Sequence, residues 1–176
     1  MRAFRAFYYG NSCLKKPIIF CLLCLLSSCG LFSFGPMNPK SENVRINFSQ
    51  PNWEETDPNG SDVTFRENKT GKFLSFNSLC RRTMSSLDVL AQNIYLGISD
   101  LKILKKKKVI FNGVDAIESS AKGKIENKNV YILALTFFRN SCTFDVLFVN
   151  SHNFTDQDHQ TYQKFLNSIS FIDEGS

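Results

Sequence analysis

From residue 60 onward, apolar and polar positions follow a period of two, then one near 3.6, then two again, then 3.6 once more. Residues 72–80 alternate: Phe73, Ser75, Asn77 and Leu79 face one way, and Leu74, Phe76 and Ser78 the other. With the short apolar-polar stretch 63–66 and the turn signal Asn68-Lys69-Thr70-Gly71 between them, this predicts a β-hairpin. Ser85-Ser86-Leu87-Asp88 then has the form of a capping box with Ser85 as N-cap. Leu87, Leu90, Ala91, Ile94 and Tyr95 make one helical face, and Gly97 suits the helix end. Strand patterning returns in 101–111, where Leu101, Ile103 and Lys105 share a side, and a turn follows at Asn112-Gly113. Residues 114–125 alternate more weakly, up to a turn over 126–129. Residues 130–138 are apolar on both faces, as a covered central strand must be, and Asn140-Ser141 turns the chain into an alternating stretch over 142–149. Thr155 then caps a second helix with Asp158 three residues on, and Tyr162, Phe165, Leu166 and Ile169 form its stripe. Ser170-Phe171-Ile172 closes the chain as a short strand or packed tail.

Consecutive strands joined by tight turns make an antiparallel sheet, and two amphipathic helices must cover it, so the class is α+β. Upstream, Gly35-Pro36, Asn38-Pro39, Gln50-Pro51 and Asp57-Pro58-Asn59-Gly60 read as an extended linker. Within it, Val44, Ile46 and Phe48 alternate with polar residues, which allows one short strand. Trp53, the sole tryptophan, either covers an edge of the domain or marks a partner-facing patch. The expected organisation is a leader over 1–28, a tether over 29–59 and a globular α+β domain over 60–176.

The leader carries Arg2, Arg5, Lys15 and Lys16 without an acid, then the apolar run 18–26, then Ser27 and Ser28. That order is the pattern of a secretory signal, and the run is short of the roughly 20 residues a spanning helix needs. Leu26-Ser27-Ser28-Cys29 resembles a bacterial lipobox. The resemblance implies that Cys29 is diacylglycerated, becomes the first residue after cleavage, and carries acyl chains such as palmitate that hold the protein to a membrane. Gly30, where an Asp would favour inner-membrane retention, leans toward the outer membrane. An ordinary cleaved signal, or an uncleaved anchor with Cys29 incidental, is the alternative.

The element order over 63–171, ending in Ser170-Phe171, resembles the Mog1/PsbP-like α/β/α sandwich. That resemblance implies a binding or assembly factor without catalysis. The chain is also similar to small bacterial lipoproteins with a Cys before the first helix and a Cys-x-Phe/Tyr-Asp segment on a late strand, here Cys80 and Cys142-Thr143-Phe144-Asp145.

Charge and cysteine usage change once the leader is set aside. Four of the 21 basic residues lie in it, against 16 acidic residues overall, so the remainder is near neutral and does not argue for a nucleic-acid partner. Of six cysteines, Cys13, Cys21 and Cys24 leave with the leader and Cys29 takes lipid. Cys80 and Cys142 remain, and two cysteines in an exported domain pair if their strand ends meet. Free buried thiols, or a reactive thiol beside Arg81-Arg82, are the alternatives. His152 and His159 are too few and too poorly spaced for a metal site, and a Cys142–histidine dyad would make a thiol-dependent enzyme. Lys105, Lys106, Lys107 and Lys108 suit either contact with anionic headgroups or another envelope polymer, or the protection of a sheet edge. No phosphate-binding loop, dinucleotide fingerprint or nucleophile elbow occurs, and no motif brings Asp115, Glu118 and Asp145 together. The function expected is therefore a non-catalytic, membrane-anchored envelope lipoprotein without a cofactor. It would bind an envelope protein or a small apolar ligand through the sheet face or a helix–sheet cleft, the alternative being an enzyme or redox protein using Cys142 or Cys80 with a histidine.

Overall fold

The computed structural model describes residues 39–56, 60–81 and 85–172. The leader and Cys29 lie outside these. Nine strands and two helices follow in chain order among the described residues: β1 (Val44–Ile46), β2 (Trp53–Thr56), β3 (Val63–Glu67), β4 (Phe73–Cys80), α1 (Leu87–Asn93), β5 (Ser99–Phe111), β6 (Val114–Ile125), β7 (Lys128–Arg139), β8 (Cys142–Asn150), α2 (Asp156–Asn167) and β9 (Ile169–Phe171). Seven strands form one antiparallel sheet in the order β2-β3-β4-β8-β7-β6-β5, and β1 pairs with β9 in a separate two-stranded ladder. The α+β class with two covering helices is as the periodicity predicts.

The tight turns set the order of β5 to β8. Asn112-Gly113, Glu126-Asn127 and Asn140-Ser141 all have positive φ at both central positions, the geometry whose twist matches the flanking strands. The sheet has two buried faces. On one, Leu74, Phe76, Leu133, Leu135, Phe137, Phe144, Val146 and Phe148 pack beneath Tyr162, Phe165 and Leu166 of α2. On the other, Ala121, Ile132 and Ala134 pack beneath Tyr95 and Ile94, at the end of α1.

α2 is fixed at both ends. Thr155 and Asp158 complete the capping box at its start, and Lys72 Nζ donates to Asp158 at 2.6 Å from the β3–β4 hairpin. Burial alone would raise the Asp158 pKa, but the bonds from Lys72 and Thr155 together outweigh it and hold the carboxyl below its ordinary range. α1 starts one residue later than the capping pattern implied. Ser86, not Ser85, is the N-cap and accepts from Val89 N, which leaves Asp88 free of the cap and 2.8 Å from Lys106 on β5.

The largest departure from the sequence reading lies in the stretch expected as a tether over 29–59. The compact unit runs from residue 38 onward, and β1 and β2 both lie in it. Val44, Arg45 and Ile46 pair with Phe171, Ser170 and Ile169, and β2 extends the sheet beyond β3. Phe48 packs its ring 5.0 Å from Phe65 and 5.1 Å from Phe165. Trp53 is half-buried at the β2 edge, 5.8 Å from Phe148, so it covers an edge. Gln50-Pro51 marks the turn into β2, where Trp53 N donates to Gln50 O at 3.2 Å; the other X-Pro dipeptides of the stretch lie wholly or partly outside the described residues.

The crossover from α1 to β5 passes directly over Gly123 on β6. A Cβ there would collide with the Ile98 side chain and lie 2.8 Å from the backbone oxygen of Ser99. Gly123→Val should therefore displace the start of β5 and destabilise the domain by about 1–3 kcal/mol, read as a lower urea midpoint. An unchanged midpoint would show that this crossing has room to spare.

Candidate functional site at the lysine-rich edge strand

β5 is the outermost strand on its side of the sheet, hydrogen-bonded to β6 alone. Residues 99–108 are all exposed. Its apolar residues include Leu101, Ile103, Leu104 and Ile110, exposed by 40% to 70%. Strand alternation and the β6 register divide its side chains between the two sheet faces. Lys102, Lys105 and Lys107 stand opposite Lys122, Ser120 and Glu118 on the α2 face, and Ile103, Lys106 and Lys108 stand opposite Ala121, Ser119 and Ile117 on the α1 face. Two lysines are engaged in ion pairs, Lys106 with Asp88 at 2.8 Å and Lys107 with Glu118 at 3.2 Å. Lys102 and Lys105 have no carboxylate partner among the described residues.

Beside β5, on the α1 face, lies a cleft of about 250 Å³ lined by Ala91, Gln92, Tyr95, Leu101, Ile103 and Lys106, with Ser119 at its floor. Tyr95 and Ser119 share a hydrogen bond of 2.7 Å, which fixes the ring as one wall. Burial pushes the Tyr95 hydroxyl pKa up, partly offset by that bond, so the phenol stays neutral at physiological pH. The cleft is apolar at its wall and cationic at its rim.

Cys80 and Cys142 are register partners on β4 and β8 and are joined as a disulfide, with Cα atoms 4.0 Å apart. Cys80 N donates to Pro39 O at 2.9 Å, so the first described residue lies against the bridged end of the sheet. A second cleft, of about 320 Å³, opens there between Lys40, Glu42, Cys80, Arg139 and Phe171. The thiol–histidine dyad does not form. Both sulfurs are bonded to each other, and the histidines follow β8 in the chain, His152 in the turn after it and His159 on α2, where it lines a cleft with Glu118, Ser120 and Leu133. His152 is exposed, its Nδ1 2.8 Å from Ser151 Oγ, and exposed His159 lies against Phe154. Among the described residues no cluster of His, Cys, Asp or Glu could hold a metal ion, and no helix is long and apolar enough to cross a membrane.

The three carboxylates stay apart in role. Glu118 faces α2 and pairs with Lys107, whereas Asp115 is exposed on the opposite face. Asp145 lies in a row across the sheet with Asn77 on β4 and Thr136 on β7 as its register partners. Lys40 Nζ reaches Asn77 Oδ1 at 2.5 Å and Asp62 at 2.9 Å. Burial pushes the Asp145 pKa up to about 6, against the opposing effect of the Thr136 Oγ1 bond at 3.0 Å. Sequence reasoning noted Asp145 but missed this row, because it depends on β4 and β7 both flanking β8.

No protein-family model matches the chain, and no curated protein matches it. Among solved structures the fold is similar to that of LpqN, involved in cell envelope biogenesis of Mycobacterium tuberculosis, with TM-score 0.53 and 8% identity over 77% of this chain and 87% of that one. A protein of Bacteroides thetaiotaomicron aligns with TM-score 0.51 and 12% identity over 76% of this chain and 50% of its own. Cyanobacterial PsbP from Synechocystis, at 0.49 and 11% identity over 78% and 99%, is a likeness only. At these identities the similarity concerns the fold and not a shared ligand.

Two outcomes follow from this geometry. Replacing both bridging cysteines by serine should cost about 2–4 kcal/mol, since the bridge closes a loop of 62 residues. Urea unfolding with and without reductant reads this, and native protein should take up no thiol label at Cys80 or Cys142 until reduced. The Asp145 sign runs the other way from that of a salt-bridged acid. With a folded pKa of about 6 and an unfolded one near 3.9, the folded chain retains a proton that the unfolded chain releases. This contribution is present below about pH 4 and is lost as pH rises through about 6. Asp145→Asn should remove that loss, raising stability at pH 7 by roughly 2–3 kcal/mol relative to the parent while leaving pH 4 stability little changed. Equal effects at both pH values would refute the assignment.

Proposed function

We propose that the protein is a lipid-anchored binding or assembly module of the cell envelope, built on a Mog1/PsbP-like domain, and that it holds its partner through the β5 edge and the adjoining cleft. The observation that carries the binding half of this reading is β5 itself. An edge strand exposed from Ser99 to Lys108, carrying exposed Leu and Ile between lysines, offers backbone, apolar and cationic contacts on one surface. The alternative of a thiol-dependent enzyme or redox protein would require the Cys80–Cys142 bridge to be reduced before either sulfur could act as a nucleophile.

The anchoring half rests on the lipobox at Cys29. The segment from Cys29 to Pro39 reaches at most about 35 Å when fully extended. The tether is thus much shorter than one running to residue 59, and it keeps the bridged end of the sheet close to the bilayer. The fold likeness to LpqN, a protein involved in cell envelope biogenesis, supports an envelope setting. Gly30 supports the outer membrane.

Cys29→Ala should give a folded domain that takes up no palmitate and is mislocalised. Fractionation, with metabolic palmitate labelling of the parent and variant, measures both. A variant still bound to the membrane, with unchanged processing, would sink the lipobox reading.

A further inference from the structure

We infer that β5 accepts, as an added antiparallel or parallel strand, an extended acidic segment of a partner protein, through residues 105–111. This deepens the reading that β5 is the binding edge and rests on it.

The backbone comes first. Residues 105–111 pair with residues 114–120 of β6 in unbroken register, and the irregularities of the ladder are confined to Ser99–Lys102 and Ile103–Lys105. The outward main-chain groups of 105–111 therefore form a regular row, the template needed for strand addition. No described element lies along that row.

The charges then select the occupant. Lys105 and Lys107 project to one face and Lys106 and Lys108 to the other. Lys107 and Lys106 are paired with Glu118 and Asp88, and Lys105 and Lys108 leave one cation without an ion pair among the described residues on each side for a strand laid beside β5. A second copy of β5 in that position would bring its own lysines opposite or diagonal to these, and like charges facing each other across a ladder are destabilising. An incoming strand with Asp or Glu at these positions gains at each of them. Next to the charged stretch, Ile110 is 70% exposed, and Leu101 and Ile103 line the cleft. Apolar residues flanking the acids complete the match. The partner segment is thus acidic at its centre and apolar at its ends, with no proline opposite 105–111.

The test uses the mature chain and a synthetic seven-residue peptide with consecutive glutamates at its centre, which present carboxylates to both faces, and valine at each end. Amide hydrogen exchange followed by NMR should show the outward amides of residues 105–111 slowed at least tenfold at saturating peptide. Methylating alternate peptide nitrogens, to remove the donors of one edge, should weaken binding at least tenfold, and so should the double substitution Lys105→Glu with Lys108→Glu. Equal binding of the methylated peptide would overturn strand addition, since charge alone would then suffice. Protection of the same amides by phosphatidylglycerol vesicles but not by peptide would overturn it in favour of a lipid contact, and a dimer in sedimentation that protects them would do so in favour of self-pairing. If the peptide fails but a fluorescent fatty acid binds the Tyr95–Ile103 cleft, the inference falls and the binding reading stands. If neither binds, both fall.

Discussion

The central pair of strands, β7 and β8, demands cover on two sides, and the rest of the chain is placed by that demand. Residues 132–137 of β7 are buried without interruption. A strand in this state must lie inside its sheet, flanked by other strands, and both of its faces must be screened from water. Phe137 shows the density this produces on one side, with the rings of Phe111, Phe144 and Phe171 at 5.0, 5.0 and 5.8 Å. One helix cannot screen that whole face. The remainder falls to Phe48, Trp53 and the β1–β9 ladder, which is why a segment that looks like a tether is part of the core.

The opposite face is covered less completely. α1 has only seven residues. It packs on β6 and β7 rather than on β4 and β8, and in the Asn77–Asp145–Thr136 row polar groups replace apolar ones: a carboxyl, an amide and a hydroxyl across three neighbouring strands. The same shortness leaves the cleft between Tyr95 and Ile103 open on the β5 side. Both features follow from one helix being too short for the sheet it covers, and they have opposite characters, one a polar row held near the protonation range of an acid and the other an apolar wall.

What was legible in the sequence is what local spacing determines. Helical stripes, alternation and the turn pairs Asn112-Gly113 and Asn140-Ser141 each report on residues within a few positions of one another, and these elements stand where the pattern put them. The pairing of β1 with β9 joins residues more than a hundred positions apart through three register pairs, and no local pattern encodes it. The disulfide was open for the same reason: nothing in the spacing of Cys80 and Cys142 shows that β8 returns beside β4. The capping serine was misplaced by one because Ser85 and Ser86 carry the same hydroxyl, and the choice turns on where the preceding loop delivers the chain. The lysine run was legible as a charge and illegible as a site, since whether a strand is central or at the edge is a property of the whole sheet.

Edge protection and partner selection are usually set against each other as explanations of such a run, but on β5 they are the same physics applied to two approaching strands. Lysines on both faces make the edge unfavourable for any chain that is neutral and apolar or itself basic, because a residue laid beside Lys105 or Lys108 would desolvate a cation without compensating it. That penalty is lifted only by carboxylates delivered at the right alternation. The strand does not carry the other common safeguards over 105–111: it has no proline and no bulge there, and at 13 residues it is long. A surface under pressure only to stay unpaired would gain from shortening the strand or breaking its register along its whole length. Here the irregularity stops at residue 105, where the unbroken lysine run begins. The regular ladder and the charge coincide, and that coincidence is better accounted for by discrimination among strands than by exclusion of them all.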